Sequence, residues 1–277
     1  MQGKISPIFK LFEIQFREAK LAFSSLGKQF KGRKAIELEQ KLIFLEIYID
    51  LLSRIYFNED KLKFQLFSPF RDLFKGLKKV KHIRMVLDQV RLYTVDQNMA
   101  FNTYIKSLES DKKKLYTEVY DLIVSTPFQI WDKLYDEAFH YSQGLKPLMI
   151  NTATTQIINE ELEYFNLEHK TKMDSKALKD IYEGLRVIIA LENLRIESGF
   201  NSIFVVEVHE HMGGLRQSLL NWYQNHLFIQ HLSFHLTDKE NIAKKYLDLL
   251  SRLQANKKSY TQKVVEKCRF LFDRILD

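Results

Sequence analysis

The sequence predicts an all-α protein built as two pseudo-symmetric up-down helical bundles, and three observations predict it. Apolar residues recur at helical spacing almost from end to end. The 277 residues include only 9 Gly and 4 Pro, too few for the turns of a many-stranded β protein. A composition 45% hydrophobic, with 21 Phe and 13 Tyr, is rich enough to fill a core and argues against disorder.

Each helix has its own signal. Phe12, Phe16, Ala19 and Phe23 form a first stripe that ends near Gly27 and Gly32, and Leu38, Leu42, Leu45, Tyr48 and Leu52 form a second. Leu66, Phe70, Leu73, Leu77, Val80 and Leu87 form a third, interrupted by Arg84. Leu115, Val119 and Leu122 lead to Pro127, where a new helix begins with Trp131, Leu134, Tyr135 and Ala138 on its face; Gly144 and Pro147 end it. Residues 151–176 mix Thr, Asn and charge and read as a connection, with Ile157, Ile158, Leu162 and Phe165 leaving a further helix open. Leu178, Ile181, Leu185, Ile188, Ile189 and Glu192 mark the next, followed by helices over 204–236, 242–253 and 260–276. Asp174-Ser175, and Thr237-Asp238 with Asn241, read as helix starts. The connection divides the chain into an N-terminal bundle half, 1–150, and a C-terminal half, 151–277, within one domain.

Several functions are disfavoured. The single cysteine, Cys268, allows no disulfide framework within one chain and no cysteine-rich zinc site. With no leader-like start and no apolar run near the roughly 20 residues that span a bilayer, the expected location is the cytoplasm. His231 and His235, like Glu207 and His211, have the four-residue spacing that metals use, but no HExxH pattern or third ligand accompanies them. Glu160, Glu161, Glu163 and Glu168 lack the Glu-x-x-His partners of a di-iron bundle. No nucleophile–base pair is visible, so neither a catalytic role nor a cofactor or metal is expected. Aromatics interleave with cations only around Phe64, Phe67 and Phe74, which disfavours nucleic acid as the partner.

Charge is more informative. Nine Lys and Arg between Lys61 and Arg91 face only Asp72 and Asp88, so this stretch alone accounts for the chain's net charge of +7. Clustered positive charge points to a polyanion. On a helix through this stretch Arg84 shares the apolar stripe, where burial without an anion or carboxylate is costly, whereas Arg71, Lys75, Lys78, Lys79 and His82 lie on the opposite arc as an outer basic patch.

Two helix pairs echo one another at a spacing of about half the chain: IELEQKLIFLEIYIDLL from Ile36 with KDIYEGLRVIIAL from Lys179, and LFKGLKKVKHIRMVLDQV from Leu73 with VHEHMGGLRQSLLNWY from Val208. From about Phe16 onward this layout resembles the CHAD family, the conserved-histidine α-helical domains. The resemblance implies two four-helix bundles flanking a basic channel that binds inorganic polyphosphate. The family motif His-x-x-Arg-x-x-x-Lys-Arg-Leu falls on Ile36, Glu39, Ile43 and Phe44 in the first half, and on Lys179, Tyr182 and Arg186 in the second. The basic position of the family's Leu-Gly-x-x-Arg-Asp motif falls on Lys81 and on Arg216. The expectation is a non-catalytic anion-binding module using Lys81, Arg84, Lys179, Arg186 and Arg216, with polyphosphate the first candidate. The alternative is a divergent member that has lost the ligand, as Ile and Phe at basic positions suggest, and that serves as a scaffold for a protein partner.

Overall fold

Helices account for nearly all of the computed structural model, which describes residues 6–56, 61–96, 99–169, 173–237 and 239–276, the side chains of 166–169 and of 276 excepted. Asp238 and the Glu168 side chain, singled out above, lie outside the described residues. No strand occurs among the described residues, as the scarcity of Gly and Pro requires. The helices are α1 (Pro7–Lys28), α2 (Gly32–Ile55), α3 (Leu62–Phe67), α4 (Arg71–Asp96), α5 (Asn102–Ser125), α6 (Gln129–Ser142), α7 (Pro147–His169), α8 (Ser175–Glu197), α9 (Val206–Leu236) and α10 (Lys244–Leu276). A short 3₁₀ turn, Ser68–Phe70, joins α3 to α4. No described helix is long and apolar enough to cross a membrane.

Two expectations change. The stretch read as a connection is mostly α7, the helix that Ile157, Ile158, Leu162 and Phe165 had left open. Its polar face misled because Thr154, although polar, is fully buried and donates to the Ile150 carbonyl at 2.8 Å. The last two helices are one, α10, because nothing between Leu253 and Tyr260 breaks a helix: the stretch holds neither Gly nor Pro.

The chain forms two compact units, each discontinuous in sequence: Met1–Lys81, Lys114–Leu162 and Val187–Ile203 make the first, and His82–Lys113, Glu163–Arg186 and Phe204–Asp277 the second. Helices α4, α5, α7 and α8 contribute residues to both.

In the first unit α1 packs on α2 and α6 around an aromatic core. Trp131 is fully buried, with its ring centroid 5.8 Å from Phe16, 5.2 Å from Phe23 and 5.0 Å from Phe70. Tyr48 stands 4.6 Å from Phe12, and its hydroxyl meets Ser142 Oγ at 2.6 Å, so its burial leaves no polar atom stranded. Gly199, at φ +81°, ends α8: Phe200 N–H donates to the Arg195 carbonyl and Gly199 N–H to that of Ile196, the paired bonds of a Schellman turn. The chain thereby returns over a buried network. Glu192 is inaccessible and accepts Ile203 N–H with both carboxylate oxygens at 3.1 Å. Arg195 lies 3.7 Å from it and donates to Thr154 Oγ1 at 2.6 Å and to the Asn201 carbonyl.

In the second unit α9 and α10 run side by side. Tyr104, Trp222, Phe228, Leu253 and Val264 are buried there, and Asn225 Nδ2 donates to the Leu253 carbonyl at 2.9 Å, a buried polar tie between the two helices.

Candidate anion-binding site

The second unit holds the arrangement most suited to a charged ligand, and it starts at the cap of α8. Asp174 Oδ1 accepts the backbone N–H of Lys176 at 2.8 Å and of Ala177 at 2.9 Å, bonds that hold its carboxyl below the usual carboxylate range. This cap sets the register of α8. Ala177, Leu178, Ile181 and Leu185 are buried, while Lys179, Tyr182 and Arg186, at successive turns, are half-buried on its flank. Tyr182 stacks on Tyr223 of α9 at 5.3 Å, and the Tyr223 hydroxyl is bonded to His82 Nε2 at 2.9 Å.

One turn along α9 from fully buried Trp222 lies His226, its ring stacked on the indole at 5.0 Å and 9°. Its exposure is 6%, yet neither ring nitrogen has a hydrogen-bond partner among the described residues, and the same holds for Trp222 Nε1. Burial first, then the positive charges of Lys179 and of Lys257 on α10, pull the imidazole down from 6.5 to about 4. His226 is therefore neutral at physiological pH. Both lysines are half-buried and neither makes an ion pair among the described residues. Three helices thus bring two ammonium groups that lack an ion pair among the described residues within electrostatic reach of a buried indole N–H and imidazole that lack a hydrogen-bond partner among them. An anion there would offset both costs, because it supplies countercharge and hydrogen-bond acceptors together.

The residues expected from sequence are placed as follows. Lys179 belongs to this arrangement. Arg84 and Arg216, also in the second unit, are half-buried and exposed respectively, and neither is ion-paired among the described residues. Arg186 is paired with Glu183 at 2.8 Å, and its Nε is buried without a partner. Lys81 belongs to the first unit, where both oxygens of Glu39 accept from its ammonium at 3.2 Å. Glu39 is only 1% exposed, so Lys81 supplies the countercharge that makes burying this carboxylate affordable. In the outer patch Arg71, Lys75 and Lys79 are exposed, with Lys75 3.8 Å from Asp72, and Lys78 and His82 are half-buried.

Sequence reasoning missed Trp222, His226 and Lys257. The four-residue spacing of Trp222 and His226 was legible, but nothing in the sequence brings Lys257, over thirty residues further on, to the same place. His231 and His235 instead pack on Tyr104, with ring centroids at 6.2 and 4.7 Å, and burial lowers both. Among the described residues no group of three or more His, Cys, Asp or Glu is arranged to hold a metal. Set against family models, curated proteins and solved structures, the chain matches none of them.

Proposed function

We propose that this protein is a non-catalytic anion-binding module of duplicated, CHAD-like helical design, and that inorganic polyphosphate is the first ligand to test. The observation that carries the reading is the pair of lysines, Lys179 and Lys257, without ion pairs among the described residues, whose charges reach His226, itself buried and without a hydrogen-bond partner among those residues. Arg84 and Arg216 add to the same unit two cations without acidic partners among the described residues. Lys81, engaged by Glu39, contributes least.

The test is a titration with long-chain polyphosphate at several salt concentrations. If two ammonium groups are neutralised, log K falls against log salt with a slope of about −1.4, by analogy with single-stranded nucleic acids. The double variant Lys179→Ala/Lys257→Ala is expected to weaken binding at least ten-fold, and Lys75→Ala/Lys79→Ala to leave it nearly unchanged. No binding at low salt, or equal loss in both variants, contradicts the assignment.

A second reading has its own observation. Where the CHAD motif has arginine this chain has Glu39, buried and paired with Lys81. That replacement turns a ligand position into a structural ion pair, as a protein-interaction scaffold without the ligand would have it. Absence of polyphosphate binding favours this second reading.

A further inference from the structure

A separate feature lies in the first unit, between α1 and α6. Phe16, Arg17, Lys20, Leu21, Phe128 and Tyr135 are among the residues that line a pocket of about 400 Å³, within the range of small-ligand sites. Its walls are largely apolar, and two of them, Leu21 and Phe128, are 65% and 46% exposed, so the pocket is open to solvent.

The polar groups narrow the ligand. The Glu13 carboxylate accepts the Tyr135 hydroxyl at 3.0 Å. The Ser24 hydroxyl donates to the Lys20 carbonyl at 2.9 Å. The Lys20 ammonium pairs with Asp132 at 2.7 Å while lying 4.6 Å from the Phe128 ring centroid. Arg17 alone among these charged groups is exposed and without an ion pair among the described residues. An open, largely apolar pocket whose lining includes one guanidinium without an ion pair among the described residues suits a ligand with an apolar body and a single planar anionic head, since guanidinium matches carboxylate in a two-bond fork. We infer that the α1–α6 pocket binds a small amphipathic carboxylate, with Arg17 holding the head group and Phe16, Leu21 and Phe128 enclosing the acyl or aryl body.

The inference does not depend on the polyphosphate reading, whose leading residues, Lys179 and Lys257, lie in the other unit. It is tested on the full chain by calorimetric titration with decanoate and, as the uncharged control, decanol. Decanoate is expected to bind at least ten-fold more tightly than decanol. Arg17→Ala is expected to remove that advantage without changing decanol binding, and Leu21→Asp, at an exposed position that leaves the fold intact, to abolish decanoate binding. Polyphosphate titrations of both variants are expected to match the parent protein. Failure of decanoate to bind, equal affinity for decanoate and decanol, or decanoate binding indifferent to Leu21→Asp would each overturn the inference.

Discussion

His226 shows how much one side chain's surroundings decide. Its stacking on Trp222 is ordinary core packing, but its bare nitrogens and two lysine neighbours are not. The folded protein holds its pKa near 4, whereas the unfolded chain takes up the proton near 6.5. Because the folded value is depressed, the unfolded state binds more protons as pH falls. Stability is thus complete above about 6.5 and is lost toward 4, by at most about 1.4 kcal/mol per pH unit. Urea unfolding at pH 7 and pH 5 is expected to show this loss, and His226→Phe to reduce it. His231 and His235, also lowered by burial, leave a residual slope. Cys268 offers a simpler check: buried and pushed up to about 12, its thiol is expected to resist a thiol reagent at pH 8 until the protein unfolds. The single cysteine was legible as incapable of an intrachain disulfide, but its burial was not.

At the scale of elements, the stripes foretold most helices because apolar periodicity is written locally. Longer-range features were not: Thr154 looked like part of a linker because its partner Arg195 stands forty-one residues away. Glu192 sat on an apolar stripe without any sign that it would cap the returning chain at Ile203. Glu192→Ala would leave Arg195 buried without its carboxylate and is expected to cost about 3–5 kcal/mol, read as a shift in the urea midpoint. Helix contact gives a second prediction. A Cβ on Gly76 of α4 would stand 2.9 Å from Val119 Cγ2 and 3.3 Å from Leu122 Cδ1 of α5. Gly76→Ala gains up to about 1 kcal/mol of helix propensity but pushes into a packed contact costing about 1–3 kcal/mol. The variant is expected to be less stable than the parent, and Val119→Ala to recover part of the loss in a double-mutant cycle.

Across the whole molecule, the all-helical class follows from composition and periodicity together. Of the candidate site only Lys179 was legible, through the family resemblance, because the charge imbalance over Lys61–Arg91 pointed to another stretch of the chain. Sequence reading ranks cations by their neighbours along the chain, whereas the relevant acids are neighbours in space. Glu39 engages Lys81 across forty-two residues, while Lys257, unremarkable in the sequence, brings its charge within electrostatic reach of His226. The polyphosphate proposal therefore narrows to the second unit and gains a reporter within it. Negative charge brought near Lys179 and Lys257 offsets their repulsion of the imidazolium and lets His226 protonate more easily.

The most direct measurement follows the His226 imidazole resonances by NMR across pH 3.5–8, with and without saturating long-chain polyphosphate, using His226→Phe for assignment. The account predicts a pKa near 4 in the free protein, moving up by about a unit or more when polyphosphate is bound. A titration of His226 that polyphosphate leaves unmoved would contradict it.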